Sequence, residues 1–150
     1  MEINYINNIT NYEVYDIGHA SDMCWIIFAS RDSQEYYSLH LQCPWRIRQE
    51  NNILLSNLDI YELSMENKEK DCEWSDKKKN VFDETIIQQD KWKGKKVEKV
   101  IVNEVYDLKI FLSDAFVIEC FINDLRDECW RFFKKGGKEH LVITGAGIEE

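Results

Sequence analysis

The stretch Tyr36-Tyr37-Ser38-Leu39-His40-Leu41-Gln42-Cys43-Pro44-Trp45-Arg46-Ile47-Arg48 decides the fold class. From Tyr36 to Gln42 the apolar residues alternate. Tyr37, Leu39 and Leu41 fall on one side of an extended chain, with Ser38, His40 and Gln42 on the other. That is the period of a strand with one buried and one wetter face. Short runs of similar character, rich in β-branched and aromatic residues, recur along the chain and favour strands over helices. The expected strands are Tyr12–Ile17, Met23–Ser30, Tyr36–Gln42, Trp45–Arg48, Ile53–Ser56, Val97–Val105, Leu108–Ser113, Ala115–Ile122, Trp130–Lys134 and His140–Thr144. Ser113-Asp114 is short enough for a tight hairpin and Arg31–Glu35 makes a longer polar turn, so the strands on either side of each are expected to be antiparallel.

Working outward, Trp45-Arg46-Ile47 matches Trp130-Arg131-Phe132, and the flanks match with them. Upstream, Trp25–Ser30 corresponds to Leu108–Ser113 and Ser38–Gln42 to Val117–Phe121; downstream, Ile53–Ile60 corresponds to Leu141–Ile148. The expectation is a single domain over 1–150 with an internal pseudo-repeat, 22–60 and 107–148. The fold is expected to be mainly β (α+β with one short helix), two related antiparallel β-meanders packed as a sandwich or half-barrel. An insert at 61–96 separates the copies. Its Glu66–Asp71 tract has mixed charge and no apolar period, and reads as a solvated loop. Near Val81–Lys91 the spacing of Phe82, Ile86 and Ile87, with Asp83 and Glu84 in the first turn and Gly94 as a stop, predicts the helix.

Composition bounds the class. In 150 residues, 44% hydrophobic and 13% aromatic side chains suffice for a core, while 31% charged residues cover the surface. Extensive disorder is thereby excluded. The longest apolar run, Met23–Ala29, falls well short of the roughly 20 residues a membrane helix needs, and the N-terminal residues have no signal-peptide pattern. Cytoplasmic location is expected. Cys24, Cys43, Cys72, Cys120 and Cys129 are odd in number and lack CxxC spacing, which suits reduced, mostly core thiols. A net charge of −9 argues against nucleic-acid binding. The charge is uneven: −6 over 1–65, +1 over 66–99 and −4 over 100–150.

Few residues suggest chemistry. Arg46 and Arg131 hold equivalent places in the repeat, and two guanidinium forks with His40 could line an anion cleft between the halves. The competing reading has each arginine stacked on an aromatic ring and paired with an internal acid such as Glu119 or Asp59. His19, Asp22, His40 and His140 are the only conceivable metal set, and His19-x-x-Asp22 is a workable loop spacing, but no HxH, HExxH or CxxC spacing supports it, so no metal and no cofactor are expected. Cys24 with His40 is a weak nucleophile pair, because Cys24 lies in a core-like run. Phosphate loops, nucleophile elbows and dinucleotide fingerprints are missing from the sequence, so no catalytic residue is assigned. Asp124, Asp127 and Glu128 form an acidic connection that reads either as a solvated loop or as a recognition surface for a basic partner.

The segments His19-Ala-Ser-Asp22-Met, His40-x-Gln-Cys43-Pro-Trp-Arg-Ile47, Trp130-Arg-Phe-Phe133 and His140-Leu-Val-Ile-Thr-Gly-x-Gly-Ile148 carry a resemblance to small bacterial proteins of low-GC Gram-positive type. It spans nearly the whole chain and implies no settled activity. In size and charge the chain also resembles immunity proteins for secreted toxins. The expectation is a non-enzymatic, monomeric or dimeric interaction protein, possibly of immunity type, that binds a basic protein partner through its acidic surface. The alternative is a small-ligand or anion-binding protein, or a hydrolase, with a cleft between the two β halves.

Overall fold

The structure is a computed structural model that describes residues 1–63, 80–88 and 91–150. The Glu66–Asp71 tract, Cys72 and the last residues of the expected helix except Lys91 lie outside the described residues. The fold is mainly β, with two antiparallel sheets packed face to face. The strands are β1 (Glu13–Ala20), β2 (Met23–Ala29), β3 (Tyr36–Leu41), β4 (Trp45–Gln49), β5 (Asn52–Ser56), β6 (Val97–Val102), β7 (Leu108–Leu112), β8 (Phe116–Cys120), β9 (Trp130–Lys134), β10 (His140–Thr144) and β11 (Gly147–Ile148). Helix α1 spans Val81–Gln88, and a 3-10 segment covers Ile3–Ile9.

The first sheet runs β1-β2-β3-β9-β10-β11 and the second β6-β7-β8-β4-β5. Each run of strands therefore changes sheet halfway. The chain leaves the first sheet after β3 and enters the second at β4, then leaves the second after β8 and returns at β9. The central pairings, β3 with β9 and β4 with β8, join residues from opposite halves of the sequence.

The registers allow the rows of the two sheets to be compared. In the first sheet, Cys24, Leu41, Trp130 and Ile143 form a cross-strand row, and in the second Leu108, Cys120 and Trp45 do the same. The next inward row is Ile17, Ile26, Leu39, Phe132 and Leu141, against Val100, Ile110, Ile118, Ile47 and Leu55. Trp45 and Trp130 thus hold the same place in the two courses. Upstream, however, Leu108 corresponds to Cys24 and not to Trp25, because Cys24 and Leu108 are buried while Trp25 turns outward. Downstream, Leu141 corresponds to Leu55 and not to Ile53. A slip of one residue would exchange the two faces of a strand, so burial decides between alignments that similar apolar runs leave open.

Strands outside 22–60 and 107–148 can be compared in the same way. β1 and β6 flank β2 and β7 in the same way, and each is interrupted by a register shift, between Val14 and Asp16 and between Val97 and Lys99. A helical segment precedes each. Ile3–Ile9 packs against β6 and β10, whereas α1 packs against β1 and β5, with the Phe82 ring 5.9 Å from Trp45. The helix read from the sequence as part of an insert therefore holds the position in the second half that Ile3–Ile9 holds in the first.

Local geometry explains the strand ends. Asp114 and Ala115 both adopt left-handed backbone, φ 60° and 64°. This is the pair of conformations a tight hairpin turn uses to match the twist of its strands. β8 therefore starts at Phe116. β6 stops at Val102 because Asn103 accepts hydrogen bonds from the Val105 and Asp107 N–H groups and closes a turn. At one edge the sheets are joined: Val14 N–H donates to the Lys95 carbonyl (2.9 Å) and Val97 N–H to that of Tyr12 (2.7 Å). Among the described residues, no helix is long and apolar enough to cross a membrane.

Gly18 lies opposite Trp25, and a methyl group on it would overlap the indole ring. Gly18→Ala is expected to lower the unfolding free energy by about 1–3 kcal/mol. Urea unfolding should show an earlier midpoint with unchanged steepness, since the exposed surface on unfolding is the same.

Candidate functional site

The residues singled out in the sequence are distributed over two outer faces and one end of the sandwich. On the first sheet the outward row is Gly18, Trp25, His40, Arg131 and Val142. Arg131 donates from Nε and Nη2 to Glu128 Oε1, at 2.8 and 2.6 Å, and from Nη1 to His140 Nδ1 at 2.8 Å. Gln42 donates to the other Glu128 oxygen. His140 stacks on Phe133 with centroids 4.3 Å apart, and His40 meets the same ring edge-on. Burial pushes the His40 imidazole below its ordinary value; Glu128 opposes this, and Arg131 and His140 add to it. The arginine, both histidines and the acid thus form one closed hydrogen-bonded and stacked group.

The equivalent outward row of the second sheet is Ile101, Lys109, Glu119, Arg46 and Ser56. Here a carboxylate occupies the position of His40. Glu119 is only 2% exposed, yet it stands on the outer face beneath three cations. Arg46 Nε reaches its Oε1 at 3.1 Å, Arg48 Nε the same oxygen at 2.5 Å, and Lys109 Nζ its Oε2 at 3.5 Å. The Arg46 guanidinium also lies over the Phe121 ring, 5.3 Å from its centroid. Burial raises the Glu119 carboxyl, but the hydrogen bonds and charges of Arg48 and Arg46 outweigh it and hold the group below the usual carboxylate range.

Arg46 and Arg131 consequently point away from opposite faces of the sandwich, and His40 accompanies only Arg131. The expected anion cleft between the halves, lined by Arg46, Arg131 and His40, is not formed: the space between the sheets is filled by Leu39, Leu41, Trp45, Ile47, Trp130 and Phe132. Cys24 faces inward while its neighbour's partner His40 faces outward, and burial drives the Cys24 thiol far up, so they make no nucleophile pair. His19 sets Nδ1 against the Ser21 carbonyl oxygen and Nε2 against Asp83 Oδ1, at 2.7 and 2.9 Å, both oxygens being acceptors, and fastens α1 to the β1–β2 turn; Asp22 accepts from Tyr61. Among the described residues, no three metal-ligating side chains come together.

The third region is the end of the sandwich where three loops meet. Ile122 N–H donates to Asp107 (2.8 Å), the Trp130 indole to the Tyr106 carbonyl (3.0 Å) and Gly145 N–H to the Asp124 carbonyl (2.8 Å). These bonds fix 103–107, 121–129 and 144–148 against one another. Gly145 is required there, since a side chain would overlap the Asp124 carbonyl. The Asp124 carboxylate accepts from the Asp127 and Arg126 N–H groups, which lower its titration. Of the three acids expected to meet a partner, Asp124 also shapes its own turn and Glu128 also holds Arg131. Asp127 is exposed. The sequence did not single out the residues beside them: Glu104 and Glu149 are exposed, and Val105 and Leu125 are 57% and 67% exposed.

No family model matches the chain, and neither a curated protein nor a solved structure matches it.

Glu119→Gln is expected to cost about 1–3 kcal/mol at pH 7, the scale of hydrogen bonds to a charged group. The folded carboxyl titrates below the unfolded one, so its stabilisation is complete above the unfolded value of about 4.3 and is lost as pH falls through the folded value. Urea unfolding of both proteins from pH 6 to 2 should show the gap between them closing on the acid side.

Proposed function

We propose that this protein is a non-enzymatic binding domain of the immunity type that captures a basic protein partner with its acidic loop end. The observation that carries the reading is the rigid convergence of 103–107, 121–129 and 144–148. These loops carry the exposed acids Glu104, Asp124, Asp127 and Glu149, two exposed apolar side chains, Val105 and Leu125, and Arg126; Leu125, Arg126 and Glu149 border one depression.

The two components have separate roles. Exposed carboxylates steer a positively charged partner and raise the rate of encounter, but contribute little to the stability of the domain. Apolar side chains that become fully covered supply the affinity. Fixing the loops by backbone hydrogen bonds before encounter removes part of the ordering cost of binding. The net charge of −9 extends the attraction beyond the loops, within a Debye length of about 10 Å at 0.1 M salt.

A photo-crosslinking amino acid placed at Leu125, in cells of the source organism, tests this. The expected product is a basic protein captured from position 125 but not from Tyr15, which is exposed elsewhere. Its association should slow at least tenfold with Asp124→Asn, Asp127→Asn and Glu128→Gln combined, and should weaken with added salt. Asn and Gln keep an oxygen for the turn and for Arg131, but Glu128→Gln loses the charge on Arg131 and the oxygen that accepts from Gln42, so the melting temperature should fall by a few degrees with the fold retained. Equal capture from both positions, or capture indifferent to salt and to the triple change, would overturn the reading.

A further inference from the structure

The second sheet's outer face carries more cations than its one buried carboxylate needs. One bidentate arginine is enough to satisfy a buried carboxylate. Glu119 has Arg46, Arg48 and Lys109, whose side chains remain 39%, 26% and 45% exposed. On the first sheet, Glu128 meets a single cation, Arg131, with the Gln42 amide on its other oxygen. Both arginines approach Glu119 through Nε. Arg48 gives Nη1 to the Glu50 carbonyl, and the Glu50 carboxylate stands on the rim as the second acid of the site. Lys99, across from Phe111 in the adjoining row of this face, adds a fourth cation. In a chain of net charge −9, this face is locally cationic.

Two depressions meet on it. One, of about 390 Å³, is lined by Arg46, Arg48, Asn51, Ile53 and Lys109 together with the two acids. The other, of about 380 Å³, is mainly apolar and lies among Ile101, Phe111, Phe121 and Lys109. Lys109 belongs to both. Asp107 also borders the apolar depression, but its two oxygens already accept from Ile122 N–H and the Asn103 amide. The Arg46 guanidinium is held over Phe121 and by its Nε on Glu119, so its position is set before any ligand arrives. A cationic pocket continuous with an aromatic one matches an anion that carries an apolar group, with the guanidinium edges on its oxygens and the rings against its body.

We propose that this face binds a small organic anion, a phosphate monoester or carboxylate on a flat apolar body. Its head group lies between Arg46, Arg48 and Lys109, and its body covers Phe111 and Phe121. The apolar depression borders the acidic loop end through Asn103, Asp107 and Phe121, but the cations that hold the head group lie on the strands, and the site stands or falls independently of the protein-partner reading.

Titration calorimetry and the arginine Nε–Hε resonances, with phenyl phosphate, benzoate and inorganic phosphate as probes, test it. Phenyl phosphate or benzoate is expected to bind at least tenfold more tightly than inorganic phosphate, and the tighter of the two identifies the head group. Arg46→Gln and Lys109→Gln should each weaken binding at least tenfold, while each leaves two cations on Glu119 and hence the fold in place. Phe111→Ala should abolish the preference over inorganic phosphate, and Arg131→Gln, on the opposite face, should change nothing. The proposal is overturned if neither organic probe saturates, if Arg131→Gln weakens binding as much as Arg46→Gln, or if a hexaglutamate peptide binds more tightly than both, which would make the face a protein-docking surface.

Discussion

The pairing of β3 with β9 and of β4 with β8 is the constraint on which the rest of the molecule depends. Each half of the chain contributes its first strands to one sheet and its last strands to the other, so neither sheet has a centre until both halves are in place. The Leu41–Trp130 and Trp45–Cys120 pairs lie where the chain crosses between sheets, with both tryptophans and both partners almost fully buried. Their large apolar surfaces favour this register over a neighbouring one, because a shift by one residue would bring Arg131 or Arg46 into the core. The positions of the outward residues follow from that choice.

The same architecture gives corresponding positions different chemistry. The row Trp25–His40–Arg131 on one face and Lys109–Glu119–Arg46 on the other are built on matching backbone, yet the first is a closed aromatic and imidazole group and the second an open cationic one. A strand's outward positions are not tied to packing of the core, so they can differ between halves while the inward rows stay apolar. The acidic end has another origin. It is built from loops, where the core demands little beyond the Asp124, Asp107 and Gly145 contacts that hold them.

Much of the architecture was legible because alternation reports strands directly. Tyr36–Leu41, Trp45–Gln49 and Trp130–Lys134 are close to their expected bounds, and Arg46 does meet the internal acid Glu119. The cation cluster was harder to see. Arg46 and Arg48 share a face by spacing, and Lys109 and Glu119 are joined by a hairpin, but bringing these pairs together requires β4 beside β8, a contact between residues about seventy positions apart. The cleft between Arg46 and Arg131 was misplaced for a related reason. Equivalent residues in two halves of a sandwich point out of opposite sheets, and equivalence in sequence carries no sign of direction. The short β11 and the 3-10 segment Ile3–Ile9 are recognisable only by what they cover.

Interlacing of the halves also bears on assembly. Every central pairing joins a strand from one half to a strand from the other, and none of these pairings specifies that both come from the same molecule. Two chains that exchange halves satisfy the same rows, with Leu41 of one against Trp130 of the other, and bury the same apolar surface. Closure within one chain gains from the higher effective concentration of that chain's own second half. The length of chain between Ser56 and Val81 therefore sets the balance between a single domain and an intertwined dimer.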